Sequence, residues 1–179
     1  MSTPASVFAQ LASKIGNEGL NSSNAAPFAA EIAKIFNVRE HEVGILRLDK
    51  KLLRFIYPAN LASAGTIPVG STMAVAARVV STGTPESINN LAQTKHASVF
   101  EAVGARTKPA FGQRVSEEDK LESVIQKMMT VPVPGPAGVM GVIEVSRKGK
   151  TAPAAGVDFT PADLQKLATI AMSLARYFK

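Results

Sequence analysis

Cysteine is absent from all 179 residues. That excludes disulfides, thiolate nucleophiles and zinc–thiolate sites, and it suits a reducing compartment such as the cytoplasm. Tryptophan is absent too, and tyrosine occurs twice, which leaves few rings on which nucleic-acid bases could stack. The two histidines are His41 and His96. The His41-Glu42 pair lacks the second histidine of a helical metal motif, so no metal site is expected. No apolar run approaches the ~20 residues of a membrane helix. The opening "MSTPASVFAQ" has no basic stretch followed by an apolar one, so no signal peptide is expected. The expectation is a soluble cytoplasmic protein with no cofactor, no membrane contact and no nucleic-acid partner.

Hydrophobic residues make up 46% of the chain, enough for one globular domain with a real core. The net charge is +6, but the positive residues are scattered. The densest group, Ser146 to Lys150, reads as the end of a strand. A recognition helix or aromatic platform does not accompany it, so the excess reads as a mild attraction for anions.

Two helices open the chain. Thr3 and Pro4 can start the first, and Val7, Phe8, Leu11 and Ile15 recur at helical spacing before "GNEG" stops it. Ser23 or Asn24 is expected to cap the second, with Phe28, Ile32, Ile35 and Phe36 as its apolar face. From Glu42 the period changes to that of strands. "EVGILRLD" reads as a central strand, Asp49 to Lys51 as a tight turn, and "LLRFIYP" as its partner, with Leu53, Phe55 and Tyr57 alternating against Arg54 and Ile56. Ile67 sits in a short extended piece. A small-residue helix over Met73 to Val80, capped by Ser71 or Thr72, follows and ends at "TGTP"; "SINN" is a further short strand. Ala105 to Asp119 is expected to be a mobile loop. "VIQKMMTVPVPG" and "VMGVIEVSRK" form a second hairpin. Thr160, Pro161 and Asp163 make a capping-box start for the closing helix. This order gives an α+β fold: a central antiparallel sheet, terminal helices on one face, and the middle helix and loops roofing a pocket on the other.

Taken together, "VGILRLD" with its hairpin partner, "IPVGST" with a helix ending "VVSTGTPESINN", "MMTVPVPGPAGVMGVIEVSRK" and "FTPADLQKLATIA" resemble the GAF family of small-molecule sensor modules. The resemblance runs from about Ala25 to Phe178. It implies a single GAF-like domain over residues 23–179; the preceding helix, within 1–22, is expected to be a dimer contact because Val7, Phe8 and Leu11 add apolar surface. It also implies a pocket walled by the middle helix and the Asn89-Asn90 rim. Bilin-attaching and methionine-sulfoxide-reducing members use cysteine, which is missing here. Cyclic-nucleotide binders carry Asn-Lys, Phe and Asp-Glu, where this chain has Arg147-Lys148, Phe159 and Asp163-Leu164. The resemblance therefore does not extend to those ligands.

The candidate ligand-binding residues are Tyr57, Ser71, Thr72, Asn89, Asn90, His96 and Arg47, polar groups on otherwise apolar walls. Asn89 and Asn90 also suit a turn. The Arg47 head either reaches solvent at the sheet edge or binds an anion inside the pocket. No nucleophile or acid–base pair stands out, and "SEED" at 116–119 reads as a solvated helix cap. The expected function is a non-enzymatic sensor of a small cytoplasmic metabolite, with an anion favoured by the charge, signalling through a partner or through its own dimer. The alternative is an interaction module whose pocket has collapsed. Apolar character on two sides of the closing helix, at Leu164, Leu167, Ala171, Leu174 and Phe178 and again at Ile170 and Tyr177, points to a homodimer built on terminal helices.

Overall fold

A computed structural model of the chain describes residues 4–63, 65–91 and 124–179. The expected loop over 105–119, and His96, lie outside these residues. Helix α1 (Pro4–Ile15) ends at Gly16, where φ is +53°, and α2 (Ala26–Phe36) follows. Phe28, Ile32 and Phe36 are buried on α2, joined by Ala29 and Ala33. The cap expected from Ser23 or Asn24 does not form: α2 starts from Ala25 with no side-chain cap. Asn24 is instead engaged in the preceding turn, accepting from the Asn21 N–H at 2.9 Å and donating to the Gly19 carbonyl at 2.9 Å.

Strands β1 (Val43–Asp49) and β2 (Leu52–Tyr57) form the first hairpin across Lys50 and Lys51. Its register slips after Ile45, so Ile45 faces Tyr57 while Leu46 faces Phe55. The extra residue is Ile56. This bulge breaks the expected alternation and puts Ile56 and Tyr57 against the same core, that of the terminal helices. Next come β3 (Thr66–Pro68), α3 (Val75–Thr82) and β4 (Glu86–Ile88). Helix α3 begins two residues later than its sequence suggests, with Ala74 and not Ser71 or Thr72 at its cap. The chain there is still in a turn: the Ser71 N–H bonds back to the Pro68 carbonyl, and the Thr72 carbonyl accepts from Arg78. Gly83, at φ +67°, stops the helix. The second hairpin, β5 (Ile125–Gly135) with β6 (Gly138–Lys148), turns tightly across Pro136 and Ala137. Helix α4 (Pro161–Leu174) has the expected capping box, with reciprocal bonds between Thr160 and Asp163. Those bonds, first the Thr160 backbone and then its hydroxyl, hold the Asp163 carboxyl below its usual range.

Among the described residues the sheet has six strands in the order β3-β2-β1-β6-β5-β4, every neighbouring pair antiparallel. The fold is α+β. One core lies between the sheet and α1, α2 and α4, with Phe8, Phe28, Ile45, Val131, Ile143 and Leu167 buried in it. Phe8 and Phe28 stack at 6.4 Å, which ties α1 to the same core as α2. The second core lies between the opposite face and α3, around Leu46, Leu53, Phe55, Val79 and Val142. This second face is the roof face. Ile170 does not form a surplus apolar side of α4: it is 5% exposed, packed in the first core. The large apolar residue that α4 leaves open is Met172.

The central β1–β6 ladder pairs Val43 to Arg47 with Val145 to Gly141. A Cβ on Gly141 would run into the Leu46 carbonyl oxygen and crowd the Phe178 ring. Both neighbours are fixed, one in the ladder and one in the core. Gly141→Ala is therefore expected to lower unfolding free energy by about 1–3 kcal/mol, the range for overpacked sites. Urea titration against the unsubstituted protein measures it.

Candidate functional site

Alternation along β6 sorts its residues by face. Ile143 and Val145 enter the helix-side core and Val142 the roof-side core, so Glu144 points to the roof face. A row of paired positions crosses four strands there: Glu86 on β4, Thr130 on β5, Glu144 on β6 and Gly44 on β1. The edge of the row is neutralised from above, since Arg78 of α3 forks onto Glu86 with contacts of 2.7 and 3.2 Å. At its centre Glu144 is 4% exposed and Thr130 fully buried. The Thr130 hydroxyl donates to Glu144 Oε1 at 3.2 Å, its one hydrogen bond among the described residues. Gly44, opposite, offers no side chain. Burial pushes the Glu144 carboxyl up to about 7, and the Thr130 hydroxyl only partly opposes that.

A second polar group, at the far end of β6, contrasts with it. Burial also opposes the charge of Glu42. Yet Glu42 receives the Arg39 guanidinium at 2.8 Å and the backbone N–H groups of Lys148 and Arg39 at 2.7 Å each. These donors win and hold its carboxyl below the usual range. Nearby, Arg147 donates to the Phe36 and Asn37 carbonyls at 2.9 and 3.1 Å, capping the negative end of α2, and lies 4.8 Å from the Phe159 ring centre. His41, half-buried before β1, is pushed down by burial, then by Lys148 and Arg39. Among the described residues no three His, Cys, Asp or Glu side chains converge as a metal site would require, and no helix is long and apolar enough to cross a membrane.

No protein-family model matches the sequence, and no curated protein matches it. Solved structures do match. The GAF domain of an Acinetobacter phosphoenolpyruvate-protein phosphotransferase aligns with a TM-score of 0.63 at 14% identity, over 99% of this chain and 94% of that one. The corresponding GAF domain from Coxiella burnetii gives 0.62 at 8% identity, over 97% and 91%. The chain has a GAF fold. The free methionine-R-sulfoxide reductase of Neisseria meningitidis, solved in complex with its substrate, also aligns, with a TM-score of 0.61 at 18% identity over 99% and 92%.

This third likeness corrects the expectation that the chain is not an enzyme. That expectation rested on the missing cysteine and on the lack of a visible catalytic constellation. An enzyme aligns with this chain as closely as the phosphotransferase GAF domains do, so the fold gives no ground for excluding activity. Composition restricts the chemistry and not its existence: without cysteine, no thiol of this chain takes part.

The GAF fold does not gather the expected ligand residues at one point. Ser71 and Thr72 lie on the roof side before α3, Thr72 exposed and Ser71 half-buried. Tyr57 packs against the helix-side core, and its hydroxyl is held above its usual pKa by burial and then by Glu40. Arg47 also points to the helix side, where it donates to the Leu20 carbonyl. Asn89 clamps the backbone before α4: its Nδ2 donates to the Phe159 carbonyl at 3.0 Å and its Oδ1 accepts the Phe159 N–H at 2.9 Å. Asn90 is exposed, and His96 is outside the described residues. Sequence reasoning passed over Glu144. The available signal was a carboxylate inside the apolar run "GVIEV" of a central strand, which must either find a partner or keep its proton.

Asn89→Ala removes both ends of its clamp and is expected to lower unfolding free energy by about 1–3 kcal/mol, read by urea titration. Glu144 carries a pH signature. Its folded pKa, about 7, lies above the ordinary value of 4.5, so its contribution to stability is complete below pH 4.5 and is lost as pH rises to 7. The gap sets a ceiling of about 3 kcal/mol on that loss. Unfolding free energies measured from pH 5 to pH 8 should fall in the unsubstituted protein, and Glu144→Gln should flatten that slope.

Proposed function

We propose that this GAF-fold domain binds a small metabolite against the roof face of its sheet, anchored by Glu144, and that occupancy is passed to a partner or through a homodimer of terminal helices in the cytoplasm. The observation that carries this reading is a buried carboxyl in the middle of a central strand, supported among the described residues by one neutral hydroxyl and facing a glycine. A structural carboxylate in this protein looks different: Glu42 has three charge-stabilising donors. A polar group left short of partners on an apolar wall orients a ligand. A carboxyl in that place favours a ligand that brings a hydrogen-bond donor or a positive charge, and it disfavours the anion that net charge alone suggested.

The alternative, a face filled by the protein's own side chains and used for interaction, draws support from the low exposure of Glu144 and Thr130. One experiment separates the two. Amine-bearing and carboxylate-bearing metabolites are screened by thermal shift at pH 8 and pH 6. Binding confined to the folded state stabilises it by ~2.7 kcal/mol at a hundredfold excess over Kd. An amine-bearing hit is expected to saturate, to weaken up to about tenfold per pH unit below 7 as Glu144 takes up its proton, and to be lost in Glu144→Gln. Absence of any saturable hit supports the filled face. Hits confined to anions, and indifferent to Glu144→Gln, overturn the role given to Glu144.

A further inference from the structure

The β1–β6 ladder ends at Arg47 and Gly141, although β1 continues to Asp49 and β6 begins at Gly138. The strands part there, and a cavity of about 600 Å³ opens beside the gap. Ile56, Met140 and Phe178 supply apolar wall. Among the described residues, four cationic ones, Arg47, Lys50, Arg54 and Lys179, line it against a single acid, Asp49. The volume is that of a metabolite pocket.

Arg47 and Arg54 are direct cross-strand partners, so their like charges oppose each other unless a negative group lies between them. Asp49 reaches Arg54 at 3.4 Å, but both side chains are more than half exposed, and water screens such a pair strongly. Arg47 gives one donor to the Leu20 carbonyl, while its buried Nε has no hydrogen-bond partner among the described residues. Paired guanidinium groups present planar arrays of donors that match a carboxylate. The apolar wall beside them suits a short hydrocarbon body.

We propose that this cavity is a second ligand site, separate from the roof face, which takes a small carboxylate with an apolar tail between Arg47 and Arg54. Asp49 is its competitor: it occupies Arg54 when the site is empty and yields it to the ligand. The proposal does not depend on the role given to Glu144.

The probe is hexanoate, with hexanol and hexylamine as controls of similar length, followed by amide NMR titration of the whole chain. Hexanoate is expected to shift resonances of Arg47, Arg54 and Met140 saturably, and neither control should do so. Arg54→Gln, at an exposed position, should weaken hexanoate at least tenfold. Asp49→Asn should tighten it severalfold, which a purely structural Arg54–Asp49 pair would not do. Shifts without saturation, equal binding of hexanol, unchanged affinity in Arg54→Gln, or shifts confined to Thr130 and Glu144 would each overturn the proposal.

Discussion

Two strands far apart in the chain meet with no room to spare where β1 crosses beside Gly141 on β6. The Leu46 carbonyl and the Phe178 ring occupy the space a side chain would need. This contact joins the N-terminal hairpin to the late hairpin and makes a single sheet of two local units. It also sets the register, and in antiparallel strands a register assigns every side chain to a face. Arg47 thereby turns to the helix side and Glu144 to the roof side, although they stand on adjacent strands. The placement of the buried carboxyl and of the arginine-lined cavity on opposite faces follows from that one ladder.

Buried charge in the protein is handled in contrasting ways. Lys127, 4% exposed, lies 2.6 Å from both Asp158 and the Gly156 carbonyl. Glu42 sits in a nest of donors and stays ionised. Half-buried Arg147 answers the helix end of α2. Glu144 has a hydroxyl and no cation among the described residues, so it keeps its proton to about pH 7. Ionisable groups tuned into the working pH range cluster where ligands bind or react, while fully compensated ones serve architecture. The contrast within one sheet is a stronger guide than any single pKa.

GAF domains and a reductase align with this chain about equally well. A fold is a scaffold on which sites differ, so function has to be argued from Glu144, Thr130 and the arginine pair. The site was much less legible in the sequence than the fold. Ser71, Thr72, Asn89 and Asn90 stood out because polar residues beside turns are conspicuous, but turns use such residues for their own hydrogen bonds. Asn89 does so with Phe159. Glu144 was hidden by its apolar neighbours, which made the strand easy to see and the carboxyl easy to pass over.

The sequence by itself determined the elements. Helical spacing marked α1, α2 and α4; the Thr160–Asp163 cap, the Lys50–Lys51 turn and the short Pro136–Ala137 connection are local interactions, complete within a few residues. It also determined the chemistry that is out of reach, since a chain without cysteine has no thiol. Tertiary structure alone decided which face each strand residue occupies. The bulge after Ile45 reversed the expected side of Tyr57, and packing drew Ile170 into the core. Residues that line one cavity lie about a hundred positions apart, as Arg47 and Met140 do. Their meeting depends on long-range strand pairing and close packing, which local periodicity does not encode.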